Sequence, residues 1–262
     1  MLQDQDYHIK PENMYLYYIA FRIEPGYFSH DDPLDYSFLF NTRFICNYLS
    51  KKVRKHKIQL QNPFSMLCVS LDNREYLKES QTFHVIDSHL EVQCEEITKY
   101  RGMTSLIDRY EWYLSLLERG YRLASKTLDI DMLMSINDSF RMGGYKNEWL
   151  FKKIKVKEYG LTIYLKCYFT TFDFRLTLEA YNINQTILIT TGVILRTLPD
   201  ELCFDKDFRK VEVRNNLLII KDFLDLDTFV IRLDLLADGI FNLNDNRGYG
   251  NDEDYYLNKI IW

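Results

Sequence analysis

Glycine is scarce in this chain, with 10 among 262 residues, where average usage would give about 18. The tight backbone cradles that hold nucleotide phosphates depend on glycine, so the shortage counts against them. Histidine is missing from the last two-thirds: all five lie before residue 90, which denies that part the commonest general base and metal ligand. No GxSxG occurs, so the nucleophile elbow of serine hydrolases is absent. The cysteines Cys46, Cys68, Cys94, Cys167 and Cys203 stand singly with no CxxC pair. Their odd number and spacing exclude a disulfide framework and point to the cytoplasm.

Long hydrophobic runs are lacking too, and the opening MLQDQDYHIK carries acids where a secretory leader would carry bases. Neither membrane insertion nor export is expected.

What the chain does have is aromatic surface, with 20 Tyr and 17 Phe. Tyrosine combines a large flat body with a polar tip and suits half-buried strand faces and protein interfaces. Acidity is concentrated: residues 200 to 254 hold fourteen acidic and seven basic side chains, while the rest carries a small positive excess. Such a field attracts a basic partner and repels nucleic acid.

Residues 14 to 23 have strand composition. The recurrence of Leu34, Phe38, Phe40, Phe44, Ile45 and Leu49 predicts a helix ending in Lys51, Lys52, Arg54 and Lys55, which complement its dipole. Strands are predicted at 64 to 71 and around HVIDSHLEV. Helices follow at 105 to 124 and 127 to 142, the second capped by Ser125 or Thr127 and stopped at Gly143 and Gly144.

Beyond Gly144 the period changes to two. Leu161, Ile163, Leu165, Cys167 and Phe169 share one strand face, and Phe174, Leu176, Leu178 and Ala180 share another. TILITTGVILR and the hairpin VEVRNNLLIIKD continue the pattern, with Asn215 and Asn216 suited to a two-residue turn. LDLDTFVIRLDLLADGIF is expected to be a helix capped by Asp225 or Asp227, and the final YYLNKIIW a strand. The fold class is therefore α+β: a mainly antiparallel sheet formed by a C-terminal meander, with helices from the N-terminal half packed on it. A single domain over 1–262 is expected, with subdivision into a helix-rich 1–143 and a sheet-forming 144–262 as the alternative. The N-terminal strands could complete the same sheet.

Candidate chemistry is sparse. The one compact cluster is His84, Asp87 and His89, whose imidazoles and carboxylate are metal-ligand types, but on a plain strand two residues five apart point to opposite faces. Asn242, Asn244 and Asn246 alternate as in a calcium loop, yet the glycine falls one place late and no glutamate closes the loop. The basic runs 51–57 and 152–157 would suit a phosphate backbone. No cofactor is expected.

These features favour a soluble, intracellular, cytoplasmic protein-binding inhibitor, such as a bacterial immunity or antitoxin-type protein neutralising a basic enzyme, with no membrane association. Asp200, Glu201, Asp205 and Asp207 are the candidate contacts, because they cluster in a turn-rich connection. A metal-dependent hydrolase or nuclease using His84, Asp87 and His89 is the first alternative. Nucleic-acid binding through the two basic runs is the second and is disfavoured by the overall charge.

Overall fold

The computed structural model describes residues 14–24, 27, 34–60, 64–80 and 83–247. The chain divides into two compact units, Met1–Tyr145 and Lys146–Trp262.

In the first unit the elements run β1 (Met14–Tyr15), β2 (Tyr18–Ile23), α1 (Leu34–His56), β3 (Gln59–Leu60), β4 (Met66–Asp72), β5 (Tyr76–Ser80), β6 (Val85–Glu91), α2 (Cys94–Arg101), α3 (Leu106–Leu123) and α4 (Ile130–Met142). Strands β2, β4, β6 and β5 form one sheet in that order. β2, β4 and β6 are parallel and β5 returns antiparallel along β6. Helix α1 is thus the crossover of a β-α-β unit, the connection that parallel neighbours require. These strands form their own sheet rather than completing the C-terminal one.

One face of this sheet is apolar and carries helices. Phe21 meets Phe38 of α1 edge to face at 5.2 Å, and Val69 packs against Gly120 of α3. A Cβ at Gly120 would lie 2.5 Å from Val69 Cγ2. Glycine there lets the helix backbone approach closely enough for Ser88 Oγ to donate to its carbonyl at 2.9 Å. The other face of the central strands is polar, which is unusual for parallel pairs.

Helix α3 matches the sequence, and Ser105 caps it by accepting from the Asp108 amide. Helix α4 starts later than predicted, because Asp129, rather than Ser125 or Thr127, accepts from the Met132 amide. Carboxylates are as good as hydroxyls at that position.

The second unit contains β7 (Asn147–Val156), β8 (Leu161–Phe169), β9 (Phe174–Asn182), β10 (Leu188–Thr197), β11 (Lys210–Arg214), β12 (Leu217–Lys221), β13 (Asp227–Arg232), α5 (Leu233–Ala237) and β14 (Leu243–Asp245). They make two four-stranded antiparallel sheets, β10-β9-β8-β7 and β11-β12-β13-β14. The period-two faces of β8 and β9 are buried as their alternation requires. Asn215 and Asn216 have φ of 49° and 65° at the β11–β12 turn. One expectation fails: 227–232 is a strand and only 233–237 is helical. Phe229 and Ile231 alternate inward with period two, and β-branched Thr228, Val230 and Ile231 favour the strand. The predicted final strand lies outside the described residues.

The α+β class and the antiparallel C-terminal meander hold. No helix among the described residues is long and apolar enough to cross a membrane.

Candidate metal centre

Four adjacent strand positions on the polar face of the first sheet frame the site. Arg22 of β2 pairs with Ser70 of β4, Ser70 with His89 of β6, and His89 with Tyr76 of β5. One step along β6, Asp87 points to the same face as His89, since residues two apart in a strand share a side. Glu24 follows β2 directly, its backbone amide donating a hydrogen bond to the Leu71 carbonyl at 3.0 Å. One ligand atom each from Glu24, Asp87 and His89 falls within 4.8 Å of the others.

Each group is oriented by a neighbour. Ser70 Oγ donates to Asp87 Oδ1 at 2.6 Å. His89 Nδ1 lies 2.9 Å from Asp72 Oδ2. The other Asp72 oxygen accepts from the Asn73 amide at 2.6 Å. Tyr76 stacks on the imidazole with ring centroids 4.0 Å apart. Desolvation acts to raise the Asp72 pKa but is outweighed by the hydrogen bonds from Asn73, His89 and Tyr76, which hold the carboxyl below its usual range. An ionised Asp72 accepts the hydrogen bond from Nδ1–H and so leaves Nε2 facing the cluster.

That Nε2 is buried and has no hydrogen-bond partner. It faces Asp87 Oδ2 at 3.4 Å. A lone pair and a carboxylate oxygen attract each other only through a cation between them, either a proton or a metal ion. Ligand atoms on a tetrahedral zinc ion, each 2.0–2.2 Å from the metal, are about 3.4 Å apart. The His89–Asp87 spacing equals that of two ligands on one ion, with a Glu24 oxygen within 4.8 Å of both.

Two exposed guanidiniums flank the cluster. Arg22 approaches Glu24 at 3.4 Å and Asp87 at 3.6 Å, and Arg74 lies 5.2 Å over the Tyr76 ring. Cys68 is close by, its Sγ 3.7 Å from Ser70 Oγ. Burial, with Asp87 adding to it, pushes this thiol up to about 12. A thiol so raised is a poor nucleophile.

His84 is not part of the cluster. It occupies an exposed turn before β6 with φ of 53°. Glu24, Asp72 and Tyr76 were not candidates from sequence, although the Asp87-x-His89 spacing carried a signal: period two places both on one face of a strand.

The acidic candidates of the second unit separate into two kinds. Asp200 is buried and caps a short turn by accepting from the Leu202 amide. Asp207 pairs with Arg247 at 3.2 Å. Glu201 and Asp205 are exposed, on a turn anchored by Phe204, whose ring stacks on Phe174 at 3.6 Å. Of the basic runs, 51–57 closes α1, where Lys52 lies over Tyr48 and Arg54 over Tyr18. The run 152–157 belongs to β7 and the turn after it, with Lys152, Lys153, Lys155 and Lys157 exposed.

Compared with protein-family models, with curated proteins and with solved structures, the chain matches none.

Proposed function

We propose that this protein is a divalent-metal-dependent hydrolase whose ion is held by Glu24, Asp87 and His89. The observation that carries the reading is the buried Nε2 of His89, which has no hydrogen-bond partner, lies 3.4 Å from Asp87 and is oriented by the contact of Nδ1 with Asp72. One imidazole and two carboxylates suit zinc or manganese. Three protein ligands leave a coordination position open, the mark of catalytic rather than structural sites. Glu24 is only partly buried, its side chain 24% exposed, so solvent reaches the cluster on its side. An ion held by these three residues would supply a polarised water for hydrolysis of an ester: the water oxygen would bond to the electrophilic centre, the bond to the leaving oxygen would break, and one water proton would pass to that oxygen.

The test is calorimetric titration of chelator-treated protein with Zn²⁺ or Mn²⁺, followed by assay on nitrophenyl esters. One ion per chain, lost in Asp87→Asn and His89→Gln together with any hydrolysis, supports the reading. Heat-silent titration of folded protein with both ions contradicts it.

A second reading, recognition of a basic protein partner, is favoured by an apolar surface in the second unit. Leu202, Phe223, Leu224 and Leu226 are all exposed. The turn at 223–226 is tied to the acidic turn by the Phe223 amide, which donates to the Lys206 carbonyl at 3.0 Å. Exposed leucines beside Glu201, Asp205 and Asp225 suit a partner with apolar and cationic side chains. A basic protein whose retention is lost in a Leu224→Ser, Leu226→Ser variant and in Glu201→Gln, Asp205→Asn, but kept in His89→Gln, would establish it. Equal retention by all three would refute it.

A further inference from the structure

We infer that the substrate of this centre is a phosphate ester, gripped by Arg22 beside the metal ion; the inference rests on the metal reading above. Arg22 shares the sheet row of Ser70 and His89. Its side chain is 54% exposed while touching both proposed carboxylate ligands. The contacts, 3.4 Å to Glu24 and 3.6 Å to Asp87, are longer than the charge-assisted bonds of about 2.7–2.9 Å that lock a guanidinium to a carboxylate. Arg22 is therefore near the carboxylates without being committed to them. Once Glu24 and Asp87 share their charge with a divalent ion, their hold on Arg22 weakens further. Its fork of donors is then available at the solvent side of the site.

What such a fork recognises is a planar pair of oxygens carrying negative charge. A carboxylic ester or amide offers one neutral carbonyl oxygen, and a single metal ion satisfies it. A phosphate ester offers two or more charged non-bridging oxygens, one for the metal and the others for Arg22. Metal-and-arginine clamps of this kind stabilise the charge that develops on a phosphoryl group in transfer. A second exposed cation, Arg74, lies over Tyr76, the ring that stacks on His89, and adds positive charge to the neighbourhood of the site. In the reaction, water oxygen bonds to phosphorus, the bond from phosphorus to the ester oxygen breaks, and one water proton ends on the released alcohol.

The probe is phenylphosphonate, a soluble phosphoryl anion that cannot be hydrolysed by this route. Chelator-treated intact protein is titrated first with Zn²⁺ and then with phenylphosphonate, for the unaltered chain, Arg22→Gln, Arg22→Lys and His89→Gln, with circular dichroism to confirm folding. The expected result is that the zinc-loaded unaltered chain binds the phosphonate. Arg22→Gln should retain zinc yet bind it about tenfold more weakly or worse, the loss of a charge-assisted pair. Arg22→Lys should fall between the two, keeping charge without the fork. Zinc binding with phosphonate affinity equal in the unaltered chain and Arg22→Gln, or with no phosphonate binding at all, overturns the phosphate assignment and leaves the metal centre standing. Absence of zinc binding in the folded, unaltered chain overturns both.

Discussion

His89 Nδ1 and Asp72 Oδ2 meet at 2.9 Å across two neighbouring parallel strands, and this contact decides which imidazole nitrogen faces the cluster. A carboxylate behind a ligating histidine fixes its tautomer and raises its basicity. Asp72→Asn should therefore lower zinc affinity by about 10–100-fold while the protein stays folded. Calorimetry with Zn²⁺ checks this. Unchanged affinity would mean that Asp72 does not position the ring.

Gly120 tests the packing beneath the site. Its substitution by alanine puts a Cβ against Val69 Cγ2, and overpacking of this kind costs about 1–3 kcal/mol. Urea denaturation should show the loss for Gly120→Ala and a partial recovery in Gly120→Ala, Val69→Ala, where the clashing methyls are removed. A double variant that is simply the sum of two losses would show that the two residues do not share the strain.

Much of the fold was legible because burial follows periodicity. Leu161 to Phe169 and Phe174 to Ala180 alternate without interruption, so their inner faces were readable directly. The first sheet was harder to recognise as parallel. MLCVSLD and VIDSHLE are bounded and partly apolar, but nothing in either segment states that they lie side by side or that a helix crosses between their neighbours. The site suffered most. Glu24, Asp72 and Tyr76 meet His89 from three other strands or strand ends, so only the pairing of β2, β4, β5 and β6 brings them together. In the acidic turn the sequence does not distinguish Glu201 and Asp205, which are exposed, from Asp200 and Asp207, which are engaged by backbone and by Arg247.

Asp207 supplies a pH dependence. Desolvation raises its pKa above the usual carboxylate value, with Arg247 only partly opposing the shift. The folded chain then binds this proton more tightly than the unfolded chain. The resulting stabilisation is present below the ordinary aspartate pKa of about 3.9 and is lost as pH rises through the higher folded value. Relative to Asp207→Asn, the unaltered chain should lose stability as pH rises through that window. Denaturation of both proteins across acid pH checks the sign, and a difference that moves the other way would contradict it.

Buried phenols set the alkaline limit of the first unit. Burial pushes Tyr110 up to about 12, and burial together with Tyr100 pushes Tyr113 higher still. Tyr121 is raised in the same direction by burial and by the nearby Cys46 and Glu118. An acid whose pKa is raised on folding stabilises the fold below its unfolded value, about 10 for tyrosine, and withdraws that support as pH climbs through the folded value. Phenolate absorbance should therefore rise in two stages, exposed tyrosines first and the buried set together with loss of circular dichroism. A single stage with the fold intact would count against this burial.

A metal ion between His89 and Asp87 is the feature on which the proposed chemistry depends. Anomalous diffraction at the zinc edge, from crystals of the intact chain grown with Zn²⁺, tests it most directly. A peak is expected about 2.0–2.2 Å from His89 Nε2 and from carboxylate oxygens of Asp87 and Glu24. A zinc peak elsewhere, with His89 still facing Asp87 and no density between them, would contradict it.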